Sequence, residues 1–317
     1  MKFTFSLFLI TLAFHACAHK TPGTSHGSAP RAPSAAAGPM EFASQKLLSK
    51  GISKDFLAII RDQYREDQRD SVIELNVLGF LRANRNTGLE KIPQWELNRV
   101  QKFLKGHRHA FREAEREFRV PKEVIASLLW VETRHGKNLG TYHVASSLFS
   151  LVQADYPTFT DRLFEVARQK AADYDKLMEV KIMERSRVKS DWAATELLAL
   201  QEIHQKGWKN VRKLNGSFSG AFGMAQFLPS SYLTWAKGKR EKPNLFQAED
   251  SILSVANYLN SNGWKTEDRS SQEGALFHYN RDKSYVNHIL YMSECLKKPA
   301  PREKRSKRAT ASSSSGY

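Results

Sequence analysis

The stretch that most constrains this chain runs from Pro121 to Gly136, PKEVIASLLWVETRHG. Proline suits the start of a helix and glycine most easily ends one, so the pattern predicts one short helix. Val124, Leu128 and Val131 share a face, and Ile125, Leu129 and Glu132 extend the same apolar surface to its edge. Glu132 therefore points where the leucines point. A carboxylate on such a face is drawn out of water, which raises its pKa towards the range of a general acid. The same spacing also suits a half-buried glutamate paired with Arg134, His135 or a distant lysine. This helix by itself does not choose between them.

Burying such a helix needs a large core, and 317 residues with 41% hydrophobic content supply one large domain or two small ones. The 49 Lys+Arg outweigh 33 Asp+Glu and give +16, a charge that attracts nucleic acid, anionic lipid heads or an acidic envelope polymer. Met1-Lys2 followed by an apolar run to Phe14 reads as an export signal, too short for a permanent membrane span. Just after it, Ala16-Cys17-Ala18 suits ordinary signal cleavage, while Phe14-His15-Ala16-Cys17 resembles a bacterial lipobox that would leave Cys17 lipidated. Cys295 is the one other cysteine, so no disulfide framework is expected. Export and the lack of a recognition motif argue against a nucleic-acid partner.

Residues 18–40 hold four prolines among Gly, Ser and Ala and read as a disordered linker. From Glu41 helical periodicity sets in, with supporting helices around Leu47, Phe56, Val77 and from Trp95 to Phe118. Phe159 to Ser186 and Asp191 to Lys206 read as two charge-rich helices. Asn244 to Asn260 reads as another, and a last one runs through Tyr285 and Leu290. No strand-rich region, internal repeat or zinc spacing is evident, and the histidines lack a third ligand at suitable spacing. The tail from Leu296 is basic and then serine-rich.

A second informative stretch is Asn215 to Tyr232, NGSFSGAFGMAQFLPSSY. Its glycines alternate with aromatics, so backbone can approach a ligand while ring faces such as Phe222 stay available to stack on sugar. Gln226 is a polar group in an apolar run and needs a partner if buried.

Taken together, Val131-Glu132-Thr133-Arg134-His135-Gly136, Gly216 to Gly223 with Gln226 to Tyr232, Ser254 to Tyr258 with Gly263-Trp264, and Tyr279-Asn280 resemble the B-type lytic murein transglycosylases. The resemblance covers most of residues 45 to 292. It implies a mainly α, lysozyme-like domain with an open cleft for the glycan strands of peptidoglycan. It also implies that Glu132 is the catalytic acid and then base, with Ser217, Gln226, Tyr279, Asn280 and Tyr285 lining the cleft. The implied reaction cuts between N-acetylmuramic acid and N-acetylglucosamine and closes a 1,6-anhydro ring.

The expected organisation is a signal peptide over 1–17, a linker over 18–40, the lysozyme-like domain over 41–295 and a tail over 296–317. A monomer of the periplasm, tethered through Cys17 if that residue is lipidated, is expected. No cofactor is expected. Relatives often carry an acidic, EF-hand-like loop after Ser-Ser-Tyr, but Lys237-Gly238-Lys239-Arg240-Glu241-Lys242 offers a cation too few oxygens, so no metal site is expected. Two rivals remain: a hydrolytic lysozyme using Asp155, Asp161 or Asp282 as second carboxylate, and a non-catalytic glycan-binding protein.

Overall fold

The computed structural model describes residues 38–82 and 91–298. The expected export signal, Cys17, the linker up to residue 37 and the tail from residue 299 lie outside the described residues. Among those described are thirteen α-helices. They are α1 Pro39–Ser49, α2 Lys54–Asp62, α3 Glu66–Val77, α4 Gln94–Gly106, α5 Arg108–Phe118, α6 Lys122–Thr133, α7 Val144–Val152, α8 Pro157–Lys170, α9 Lys176–Gln205, α10 Pro229–Trp235, α11 Ala248–Ser261, α12 Arg269–Tyr279 and α13 Lys283–Lys297. One small antiparallel sheet pairs β1, Tyr142–His143, with β2, Asn215–Gly216, placing Tyr142 opposite Gly216. The mainly helical class holds. None of the described helices is long and apolar enough to cross a membrane.

Helix α6 carries the candidate acid and forms the axis of the core. Every residue from Val124 to Trp130 is buried, so the helix is enclosed all round rather than on one face, packed by α4, α5, α11 and α13. Each buried leucine or isoleucine here contributes about 1.5–3 kcal/mol. Pro121 is the N-cap rather than a residue of the first turn. At the other end the helix stops at Thr133, short of Gly136, because Arg134 and His135 already adopt left-handed backbone, with φ of 51° and 55°. That early stop leaves Glu132 in the last helical turn, where the chain begins to turn away.

The main core gathers α4 to α7, the C-terminal half of α9, α11 and α13. A smaller core joins α3, α8 and the start of α9 through Ile73, Val77, Phe159, Leu163 and Ile182. Several boundaries differ from the expected ones. The charged region holds one continuous 30-residue helix, α9, because nothing between Arg187 and Ser190 breaks it. The break falls earlier, where the Asp175 side chain caps Met178 N. The Trp95 to Phe118 segment divides at His107 into α4 and α5. Residues 275–297 divide at Asn280, because Asp282 Oδ1 accepts from Ser284 N and Tyr285 N and starts α13 afresh. Pro39 and Met40, read as linker, open α1, while Leu296 and Lys297, read as tail, close α13.

Candidate active site

Two attachments position the end of α6. On one side Thr133 Oγ1 donates to Met224 O at 2.9 Å, and Gly136 N donates to Thr133 Oγ1 at 3.0 Å. On the other, Tyr285 of α13 donates its hydroxyl to Glu132 Oε1 at 2.5 Å. Glu132 thus sits between the 223–227 loop and α13, half-buried. Its basic neighbours do not reach it. Arg134 turns onto Glu96 and the Trp130 ring, and His135 stacks on Phe103 at 3.8 Å while its Nε2–H donates to Ala126 O. The ion-paired reading of Glu132 is therefore replaced by a carboxyl held by one phenol.

The electrostatics follow from that enclosure. Removal from water pushes the Glu132 carboxyl up to about 7, and the Tyr285 hydrogen bond pulls the other way. Burial, reinforced by the Glu132 charge, drives the hydroxyls of Tyr285 and Tyr279 well above the ordinary phenol range, so both remain donors. Burial lowers His135 to about 4 and leaves it neutral.

Tyr279 donates to Ala225 O at 2.5 Å and packs against Tyr258 and Phe227, which ties the end of α12 to the loop beside Glu132. Within that loop Gln226 adopts left-handed backbone, φ 49°, and its Nε2 donates to Gly223 O and Leu139 O. Both amide protons are thereby used, and Oε1 is the atom left to face a ligand. Ser217 Oγ accepts from Ser219 N and Ala221 N, which leaves its own proton to donate. Asn280 is buried at the α12–α13 corner, where its backbone carbonyl accepts from Asp282 N.

The structure thus brings Glu132, Tyr285 and Tyr279 together and joins Gln226 and Ser217 to them through the glycine-rich loop and the residues before β1. Phe222 is a correction. It is 0% exposed and packs on Tyr232, so it supports the loop from beneath and presents no ring face to a sugar. Thr133 and Tyr258 are contributors that the sequence reading passed over. The signal was present in Thr133, a polar residue beside Glu132 in an apolar helix.

The lysine-rich stretch after α10 is tied down by polar contacts of its own. Asp250 Oδ2 accepts from Asn244 N, its carboxyl lies against Gly238, and Lys209 Nζ donates to Pro243 O at 2.8 Å. Of the rival carboxylates, Asp155 pairs with Lys46, Asp282 caps α13, and Asp161 is exposed on α8.

Residues 89–276 match the family model described as Transglycosylase SLT domain. Membrane-bound lytic murein transglycosylase B of Escherichia coli (strain K12) is 27% identical over 169 residues, which is 53% of this chain and 38% of that protein. Among solved structures, the Escherichia coli lytic transglycosylase Slt35 in complex with bulgecin A aligns with a TM-score of 0.59 at 18% identity, over 80% of this chain and 92% of that one. Soluble lytic transglycosylase SltB1 from Pseudomonas aeruginosa aligns at 0.56 with 20% identity, over 81% and 97%. SltB3 from Pseudomonas aeruginosa, in complex with NAG-anhNAM-pentapeptide, aligns at 0.56 with 16% identity, over 81% and 78%. These likenesses place the fold among the lytic transglycosylases, whose folds are lysozyme-like. Since the family model spans more than half of the sequence, the chain belongs to the Transglycosylase SLT domain family, as a B-type member.

Proposed function

We propose that this chain is a lytic transglycosylase of the cell envelope that cleaves the bond between N-acetylmuramic acid and N-acetylglucosamine in peptidoglycan. The observation that carries the reading is Glu132, a carboxyl enclosed at the end of α6 and held by Tyr285, with no basic side chain on it among the described residues, in a member of this family. In its neutral form Glu132 protonates the glycosidic oxygen, and the bond breaks as positive charge develops at the muramic C1. The substrate's own acetamido oxygen stabilises that charge, since Asp155 is paired with Lys46 and Asp282 caps α13. Ionised Glu132 then takes the proton of the C6 hydroxyl, O6 bonds to C1, and a 1,6-anhydro ring closes without water. Ser217 and Gln226 supply a donor and an acceptor that orient the sugar. Export to the periplasm, a lipid tether at Cys17 and a monomeric state belong to the same proposal.

The reading is tested by mass spectrometry of products from peptidoglycan sacculi. Anhydromuramyl products are expected from the native protein and none from Glu132→Gln. Reducing products, heavier by one water, would make it a lysozyme.

The first step needs the protonated acid, so activity should hold below about pH 7 and fall as pH rises through that value. The Tyr285 hydrogen bond lowers this pKa, so Tyr285→Phe should move the alkaline limb of the pH–rate profile upward while reducing the maximal rate. An unmoved limb would show that Glu132 is not the titrating acid.

A further inference from the structure

Two basic residues follow Glu132 within three positions, Arg134 and His135, and α4 holds them both. Glu96, Val100 and Phe103 stand at i, i+4 and i+7 and so share one face of α4, which packs against α6. The Glu96 side chain is 13% exposed, and its Oε2 accepts from Trp130 Nε1 at 2.9 Å and from Arg134 at 3.3 Å. The Arg134 guanidinium also lies 4.8 Å from the centre of the Trp130 ring, so one indole offers the cation a face while its N–H fixes the carboxylate. Two turns further along α4, Phe103 stacks on His135. The backbone agrees with these attachments. Arg134 N donates to Trp130 O at 2.9 Å and His135 N to Leu129 O at 3.2 Å, which closes α6 with both residues in left-handed backbone. That conformation is unfavourable for residues with side chains, and the contacts of Glu96 and Phe103 offset it.

The turn thereby carries away the cation nearest to Glu132 along the chain. Among the described residues, the titratable groups facing Glu132 from other elements are phenols, Tyr285 on α13 and Tyr279 on α12, with Tyr258 of α11 behind Tyr279. The 223–227 loop carries none. Lys137 and His107 lie on the His135 side, where His107 Nδ1 bonds to Glu249 of α11 at 3.0 Å. Glu96 is the charged group that α4 turns to Arg134.

We propose that Glu96 is a positioning residue for the catalytic acid: by holding Arg134 against Trp130 it keeps a guanidinium out of the site and leaves Glu132 to Tyr285. This rests on the function proposed above and adds to it a residue that acts on Glu132 without touching substrate. Released from Glu96, Arg134 stands two residues from Glu132 on a side chain long enough to approach it. A guanidinium bonds strongly to an ionised carboxylate and favours that form over the neutral one. An acid held in its charged form has no proton to give the glycosidic oxygen.

The test follows the alkaline limb of the pH–rate profile of the full chain on peptidoglycan. Glu96→Gln keeps an acceptor for Trp130 Nε1 but removes the charge that holds Arg134, so the limb should move down by about half a pH unit or more. Adding Arg134→Met removes the released cation, and the limb should return to its parental position. A limb that stays in place in Glu96→Gln would overturn the proposal, even with a lower rate, since that is the mark of a merely structural role. A limb that moves and stays moved in the double variant would overturn it too, because the effect would not pass through Arg134. If the parent releases no product from peptidoglycan, the proposed function fails. Carbon-13 NMR of the labelled Glu132 carboxyl, assigned by its loss in Glu132→Gln, then reads the clamp separately. A titration moved down in Glu96→Gln and restored in the double variant supports the role of Glu96, and an unmoved titration removes it.

Discussion

Glu132→Gln should abolish turnover of peptidoglycan, by about a thousandfold or more, while leaving a folded protein that still binds glycan strands. Glutamine keeps the shape of the side chain and can still accept the Tyr285 hydroxyl, so the geometry at the end of α6 survives. What disappears is the transferable proton, and with it both the donation to the glycosidic oxygen and the later removal of the C6 hydroxyl proton. The variant should also be more stable than the parent at neutral pH. Because the folded pKa of Glu132 is raised from about 4.5 to about 7, the folded state holds a proton that the unfolded chain has lost. Stability of the parent therefore falls as pH rises through that window, by up to the order of 3 kcal/mol, and Glu132→Gln is free of the fall. Melting temperatures of the two proteins should agree near pH 4 and separate by pH 7.5. A variant that keeps turnover sinks the assignment of Glu132. A variant that loses turnover and glycan binding together points to damaged structure instead.

Much of this site was legible in the sequence because its chemistry is concentrated in short motifs. The apolar spacing around Glu132 pointed to a carboxyl out of water, and the burial of Val124 to Trp130 accounts for it. What local periodicity could not give was the partner of that carboxyl, since Tyr285 lies 153 residues away and reaches Glu132 only because α13 packs along α6. Nor could it show that Arg134 and His135 turn away, because that depends on two non-glycine residues accepting left-handed backbone. Phe222 was misread for a related reason. Its place among glycines suggests an open loop, but the loop folds back on itself through reciprocal hydrogen bonds between Phe222 and Phe227 and seals the ring inside. The length of α9 was missed because charge-rich sequence looks like a pair of solvated helices, whereas Ile182, Ser186, Lys189 and Ala193 bury one continuous face.

Gly216→Ala should have the second-largest effect, and it acts on backbone alone. A methyl group at this position would lie 2.0 Å from Ala221 O and 2.9 Å from Ala221 C, which are main-chain atoms that no rotamer change can move. Ala221 O is the acceptor for Ser217 N at 2.8 Å, so relief of the clash breaks the bond that closes the loop. Gly216 also pairs with Tyr142 across the small sheet, and Gly140 comes so near that a methyl there would lie 2.1 Å from Gly216 O. The loop therefore cannot retreat towards β1. A loss of more than about 3 kcal/mol is expected, together with loss of activity as Ser217 and Gln226 leave their places. Gly274→Ala is the matched control, since a methyl group in the middle of α12 meets nothing within 4 Å. It should be neutral or stabilise by about 0.5–1 kcal/mol through helix propensity. Thermal melts of the two variants separate a steric cause from a general sensitivity to added methyl groups. If Gly216→Ala melts within about 2 °C of the parent, the loss is far below the expected one. The loop would then be able to open there, and Ser217 would not be fixed by the backbone beneath it.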